Sequence, residues 1–327
     1  MNRRQFVGLG TGAIAAGVLD ACAARIAGPR PLTAPSTPID AATFHAARRF
    51  ADTRSGRIAY VERGSGEAAL FLHGYPLNGF QWRGALERLS AHRRCIAADF
   101  MGLGYSEIPE SQSVAPDAQV AMLAELLDRL SVATVDLVAN DSGGLVAQLF
   151  VTRYPARVRT LLLTNCDAPD DSPPPSFLPF IAAAHAGTLA EGVNRQLTNK
   201  ALARSPKGIG GQAYTDPTHP TDEAIDCYFT PLVSSPLRKA QFHGYTIALE
   251  RNPLAGIEPA LRRCAVPTRI VWGTGDTIFA PSSPDWLDHA FAHSRGVRRV
   301  EGAKLFFPEE MPDLIAEEAR RLWSQQQ

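Results

Sequence analysis

The chain has 327 residues, with 33 lysines and arginines against 33 aspartates and glutamates, and 45% of its residues are hydrophobic. This length suits one large globular domain, or a domain that carries an insert. The balanced charge argues against nucleic acid as a partner. The 26 glycines and 25 prolines are together 51 of the 327 residues. This fraction is below the roughly 25–30% that marks a disordered chain rich in proline and glycine. We therefore expect a folded protein with a packed core.

Residues 1–30 have the pattern of a twin-arginine signal peptide. Arg3 and Arg4 precede an uncharged stretch from Gly8 to Leu19, which is too short and too rich in glycine and alanine to span a membrane. Export to the periplasm is therefore predicted. Two alternatives remain around Cys22: lipidation of its thiol, which would attach the protein to a membrane, or plain cleavage beside it.

Removing residues 1–30 leaves 29 basic and 32 acidic side chains, so the mature chain is slightly acidic. Residues 31–44 are predicted to form a proline-rich tether. No cysteine spacing suits a metal site, and neither a metal nor a cofactor is expected. The remaining cysteines are predicted to be buried small hydrophobic side chains: Cys95, Cys166, Cys227 and Cys264.

Short apolar runs alternate with helical patterns along the rest of the chain. The predicted strands are Arg57 to Val61, Ala68 to Leu72, Arg94 to Ala98, Thr134 to Ala139, Val158 to Thr164, Thr268 to Trp272 and Val297 to Val300. This alternation predicts an α/β fold, with a mostly parallel sheet flanked by helices. Residues 45–167 and 263–327 are assigned to this core. Residues 168–262 break the rhythm and are predicted to form a helical cap.

Ligands of parallel sheets bind beyond the carboxyl ends of the strands, so the turns there are the candidate site. The turn His73, Gly74, Tyr75 follows one predicted strand and can present a backbone N–H to an oxyanion. Another predicted strand is followed by Asn140, Asp141, Ser142, Gly143 and Gly144.

A sharp strand-turn-helix needs small residues two before its tip and two or three after it. With Asp141 at the tip, those residues are Ala139, Gly143 and Gly144. Ser142 at the tip fits the rule less well. Asp141 is therefore the better nucleophile candidate, and the alternative is an aspartate that caps the following helix.

These motifs, together with Trp82, the run from Asp99 to Ser106 and the run from Trp272 to Asp276, resemble the α/β-hydrolase fold over about residues 50–325. An aspartate at the tip is similar to the haloalkane dehalogenase, fluoroacetate dehalogenase and epoxide hydrolase branch. The resemblance implies that Asp141 attacks an sp³ carbon and leaves an ester, which a histidine-activated water then hydrolyses.

The same resemblance assigns roles to residues around Asp141. Asp276 would orient the histidine, with Asp167 as the alternative acid. The backbone N–H groups of Tyr75 and Ser142 would form the anion hole. The insert tyrosines Tyr228 and Tyr245 would activate an epoxide oxygen. His73 and Gly74 complete the predicted substrate-binding set.

The chain departs from this family at the histidine. Matching the segment around Pro308, Glu310 and Pro312 to the family pattern puts Phe306 at its position, and no histidine follows His293. Three hypotheses remain open. His243 of the insert replaces the missing histidine as the base, or the carboxylates around Asp141 catalyse a different acid–base reaction. In the third hypothesis, the protein only binds a ligand.

Two further departures concern the type of substrate. Ser142 stands where haloalkane dehalogenases have a tryptophan, and Tyr75 stands where they have a halide-binding asparagine. We therefore predict an Asp141-dependent hydrolase of a small apolar epoxide, halogenated compound or ester. The alternative is a silent binding protein. A Ser142 esterase is disfavoured by the turn spacing, and the oligomeric state is left open.

Overall fold

A computed structural model describes residues 39–324. The predicted signal peptide and residues 31–38 of the predicted tether lie outside the described residues. The end of the tether is predicted wrongly, because helix α1 (Ala41–Ala46) is already part of the fold. Its N-cap Asp40 accepts a hydrogen bond from the Thr43 amide, and Phe44 is buried in the core.

The described residues form one sheet of eight strands. These are β1 (Arg48–Thr53), β2 (Gly56–Arg63), β3 (Ala68–Leu72), β4 (Arg94–Ala98), β5 (Val135–Ala139), β6 (Val158–Thr164), β7 (Thr268–Gly273) and β8 (Ser294–Val300). The strand order is β1-β2-β4-β3-β5-β6-β7-β8. The β1–β2 and β2–β4 pairs are antiparallel, and the other pairs are parallel. The predicted α/β class is confirmed.

Helices cover the sheet and follow most strands. They are α1, α2 (Arg83–Leu89), α3 (Pro116–Arg129), α4 (Ser142–Arg153), α5 (Leu178–His185), α6 (Leu189–Thr198), α7 (Lys200–Ala203), α8 (Ile209–Ala213), α9 (Asp222–Val233), α10 (Pro236–Ala248), α11 (Glu258–Arg263), α12 (Ser283–Ala290), α13 (Phe307–Glu310) and α14 (Pro312–Ser324). No helix among the described residues is long and apolar enough to cross a membrane.

The central strands determine where a site can form. Strands β3 and β5 are buried along their whole length, as expected for strands covered on both faces. Their carboxyl ends lie side by side, because Leu72 pairs with Ala139 in the parallel register. The turns after Leu72 and Ala139 are therefore neighbours.

Helices α5 to α10 and the start of α11 occupy residues 168–262, and this range contains no strand. Helix α6 packs on α9, and α10 packs on α5 and α9. The four cysteines of the described range are buried and unpaired, which confirms their prediction as small hydrophobic side chains.

Candidate active site

Asp141 lies on a sharp turn between β5 and α4. Its φ is +54°, a left-handed conformation that is uncommon for a residue other than glycine and is typical of strained functional turns. A Cβ atom at Gly143 would lie 2.4 Å from the Leu72 carbonyl oxygen, and one at Gly144 would lie 2.4 Å from Cβ of Cys166. The turn therefore requires glycine at both positions.

The Asp141 side chain does not serve the helix that follows it, since it makes no N-capping hydrogen bond to α4. The helix-capping alternative is therefore wrong. Instead, Oδ2 of Asp141 accepts a hydrogen bond from the Tyr75 amide at 2.7 Å, and the neighbouring Ser142 amide favours the charged form of this carboxyl group. The two predicted anion-hole donors thus converge on one carboxyl group.

A buried amide network holds the two turns together. The Gly74 amide donates to Oε1 of Gln81 at 2.8 Å, and Nε2 of Gln81 donates to Oδ1 of Asn140 at 2.7 Å. The amide nitrogen of Asn140 in turn donates to the Leu305 carbonyl at 3.1 Å. This series of hydrogen bonds fixes the position of the Tyr75 amide relative to Asp141, and so preorganises the predicted anion hole.

Asp276 follows β7 and is buried close to this network. Its Oδ2 accepts a hydrogen bond from Nδ2 of Asn165 at 2.8 Å, and its Oδ1 accepts one from the Ile278 amide at 2.8 Å. Both oxygens are therefore engaged by neutral donors. Asp167, which follows β6, is also buried.

Within residues 39–324, none of the three carboxyl groups forms an ion pair with a lysine, arginine or histidine side chain. Burial, with a further contribution from Asp167 and Asp276, raises the pKa of Asp141 well above its ordinary range, although the Tyr75 and Ser142 amides oppose this shift. Burial also raises the pKa of Asp167 to about 7 and raises the pKa of Asp276. Burial disfavours the charged form of each group.

Asp141 opens onto a cavity of about 440 Å³, a volume suited to a small ligand. The core contributes Tyr75 and Phe306 to its wall, and the cap contributes Leu189, Val193 and Ile209, among others. The lining is mostly apolar. Its charged members among the described residues are Asp141 and Lys207.

Phe306 lies beside the Asp141 carboxyl group in the wall of the cavity. A Cβ atom at Gly74 would lie 2.8 Å from Oδ2 of Asp141 and 2.9 Å from Cε1 of Phe306, so the ring and the carboxyl group approach the same point. The ring also packs edge-on against Tyr214 at 5.4 Å between centroids. No histidine within residues 39–324 lines the cavity.

The two candidate histidines are placed for other contacts. The amide of Ala190 donates to Nε2 of His243 at 3.0 Å, and His243 does not line the cavity, so these contacts do not support its predicted role as a replacement base. The ring of His73 is fully buried and contacts the Phe100 amide and the Gly74 carbonyl. His73 therefore shapes the turn and does not line the cavity.

The two insert tyrosines are buried beside other side chains of the core and the cap. The hydroxyl of Tyr228 lies 3.4 Å from Nη1 of Arg83, and neither Tyr228 nor Tyr245 lines the cavity. The hydroxyl of Tyr245 instead donates to Oγ of Ser142 at 3.3 Å. These contacts do not support the predicted role of the two tyrosines in activating an epoxide oxygen. The backbone amide of Ser142 faces the Asp141 carboxyl group, whereas the Ser142 hydroxyl accepts the hydrogen bond from Tyr245.

Several residues of the site were not predicted from the sequence. Gln81 and Asn140 bridge the two turns, and Asn165 holds Asp276 through contacts more than 100 positions apart in the chain. Only Asn140 and Asn165 had a local signal, since each follows a buried strand directly. Among the described residues, no group of three or more histidine, cysteine, aspartate or glutamate side chains could hold a metal ion.

Comparison with known families identifies this architecture. A family model described as alpha/beta hydrolase fold matches residues 69–310. A cis-3-alkyl-4-alkyloxetan-2-one decarboxylase from Shewanella oneidensis is 30% identical over 154 residues, which are 45% of this chain and 48% of that protein. The match thus spans about half the length of that relative.

Two further similarities extend over most of the chain. Haloalkane dehalogenase 2 of Mycobacterium tuberculosis is 25% identical over 288 residues, which cover 82% of this chain and 92% of that protein. The solved structure of the epoxide hydrolase CorEH without ligand matches with a TM-score of 0.69 and 22% identity, and the match covers 86% of this chain and 99% of that one.

Proposed function

The chain belongs to the α/β-hydrolase fold family, and from this premise we propose that it is an enzyme whose Asp141 carboxylate attacks an electrophilic carbon of a small, mainly apolar organic molecule. The observation that supports this proposal most strongly is the Asp141 carboxyl group itself. It stands on a strained turn, faces an apolar cavity and is held by the Tyr75 amide at 2.7 Å.

The attack is assigned to Oδ1, the oxygen of Asp141 that Tyr75 does not hold. A new C–O bond forms between Oδ1 and the substrate carbon, and the bond from that carbon to a halide or to a strained ring oxygen breaks with its electron pair. A halide departs as the anion, and a ring oxygen takes up a proton from water. The product of this step is an ester of Asp141.

The second step, hydrolysis of the ester, is expected to be slow. The Tyr75 and Ser142 amides are placed to stabilise the oxyanion that water attack would create. No histidine of the described residues lines the cavity to deprotonate that water. Positioned proton transfer contributes about 10²- to 10⁴-fold to such reactions, so the ester should accumulate.

Turnover assays with bromohexane, epoxyhexane and a dialkyl β-lactone test this proposal. We expect a burst of product of one equivalent per protein or less, followed by slow release. Asp141→Asn should abolish the burst, and the control Asp170→Asn, an exposed aspartate of the same charge, should retain it. An undiminished burst in Asp141→Asn would overturn the nucleophile assignment.

A second candidate function is ligand binding without chemistry. The apolar Phe306 ring beside Asp141 favours it, because a buried carboxyl group with a raised pKa and no base is poorly prepared for repeated turnover. Saturable binding of the same compounds, without any burst or adduct, would support this candidate against the enzymatic one.

A further inference from the structure

A second pocket, of about 220 Å³, lies outside the candidate active site. We call it the arginine pocket, and it is lined by Arg269, Arg295, Glu318, Arg321 and Leu322. Arg269 and Arg295 stand near the first residues of the parallel strands β7 and β8, whereas Asp141 follows the last residue of β5. The arginine pocket therefore opens at the opposite end of the sheet from Asp141.

Glu318 holds arginine side chains of the pocket in place through ion pairs. Its side chain is fully buried and is paired with Arg269 at 2.7 Å, Arg298 at 2.7 Å and Arg321 at 3.4 Å. Burial opposes its charge, but these arginines outweigh that effect and hold the pKa of Glu318 below its ordinary value. The carboxylate therefore stays ionised and fixes guanidinium groups around the pocket.

The charges of this cluster do not balance. Four arginines meet two carboxylates, so two positive charges remain; the six residues are Arg269, Arg295, Arg298, Arg321, Glu317 and Glu318. The guanidinium group of Arg295 has no hydrogen-bond or ion-pair partner among residues 39–324. Its backbone carbonyl, by contrast, accepts from Nη1 of Arg269 at 2.7 Å, which ties the two residues together.

We propose that the arginine pocket binds a dianionic phosphate group, as a phosphate monoester, the terminal phosphate of a diphosphate, or the monoester headgroup of phosphatidic acid. A dianion supplies the two negative charges that the cluster lacks. Guanidinium groups present planar pairs of N–H donors that match phosphate oxygens, and Arg295 has all of its donors free for this contact.

Calorimetric titration of the purified protein with sodium pyrophosphate at low ionic strength tests the site. We expect saturable binding to one site that weakens as sodium chloride is added. Arg295→Gln should weaken it about tenfold or more, because a charge-assisted hydrogen bond is lost. The control Arg251→Gln, at an exposed arginine outside the pocket, should leave the Kd unchanged.

The melting temperature of Arg295→Gln shows whether this variant is folded, and no loss is expected because the side chain has no partner in the fold. Cosedimentation with phosphatidic acid vesicles, compared with phosphatidylcholine vesicles, distinguishes a lipid from a soluble phosphate as the source. Absence of saturable pyrophosphate binding, or an equal Kd in Arg295→Gln and the unchanged protein, would overturn the proposal.

Discussion

Phe306 and Asp141 together define the chemistry of the cavity. The carboxyl group has a strained backbone and accepts the Tyr75 amide, which suit the nucleophile role that we propose, while the neighbouring phenyl ring has no proton to give or take. Attack on a carbon needs only the carboxylate, whereas release of the ester needs an activated water. The residues present therefore support formation of the proposed ester better than its hydrolysis.

Restoring an imidazole at position 306 should therefore speed the slow half of the reaction. We expect Phe306→His to raise steady-state turnover by about 100- to 10,000-fold over the unchanged protein, with little effect on the burst. The control Phe306→Leu keeps an apolar side chain and should not raise turnover. Equal turnover in both variants would argue against ester hydrolysis as the slow step.

The buried carboxyl group of Asp167 should make stability depend on pH. Its pKa is about 7 in the fold and about 3.9 in an unfolded chain, so the folded state binds the extra proton. Stability is then lost as the pH rises from about 4 through 7. Urea unfolding at several pH values should show this slope reduced in Asp167→Asn and unchanged in Asp170→Asn.

At the scale of elements, a buried charge cluster joins the cap to the core. Arg83 of α2 pairs with Glu309 of α13 at 2.6 Å, and the hydroxyl of Tyr214, which follows α8, donates to Glu309 at 2.7 Å. Tyr214 also packs against Phe306. The cluster therefore positions the segment that carries Phe306 under the cap.

Tyr214→Phe removes the hydroxyl from this cluster and keeps the ring. The hydrogen bond goes to a buried carboxylate, so we expect a loss of about 1–3 kcal/mol in the free energy of unfolding, measured by urea titration. Tyr154→Phe is the control at a half-buried tyrosine outside the cluster. A loss in Tyr214→Phe no greater than in the control would show that the cluster contributes little.

The sequence predicted the central elements well and the edge elements poorly. The runs Ala68–Leu72 and Val158–Thr164 match β3 and β6 in both bounds. Ala68–Leu72 is continuously apolar, as expected for a strand buried on both faces. Strand β1 was missed, because Arg48–Thr53 lies at the edge of the sheet and has little apolar pattern.

The same distinction applies to the site. Asp141 was found because its glycine spacing is a local signal. The Asn165–Asp276 and Arg83–Glu309 contacts join residues more than 100 positions apart, and no local pattern announces such pairs. The converse holds for Tyr228 and Tyr245. Their positions in the sequence suited the activation of an epoxide oxygen, but their side-chain contacts do not support that role.

At the scale of the whole molecule, we propose that residues 1–30 export the folded protein. Replacing Arg3 and Arg4 with lysine should leave the protein uncleaved in the cytoplasm, because the paired arginines are the signal that the export machinery reads. Immunoblots of periplasmic and cytoplasmic fractions measure this. Equal periplasmic amounts of the two proteins would contradict the proposal.

The most direct test of the Asp141 mechanism is peptide mass spectrometry after incubation with bromohexane. The account predicts that the peptide containing Asp141 gains the mass of one hexyl group, that fragmentation places this group on Asp141, and that the adduct persists after the reagent is removed. An unmodified Asp141 peptide in protein that has released bromide, or an adduct on another residue, would contradict it.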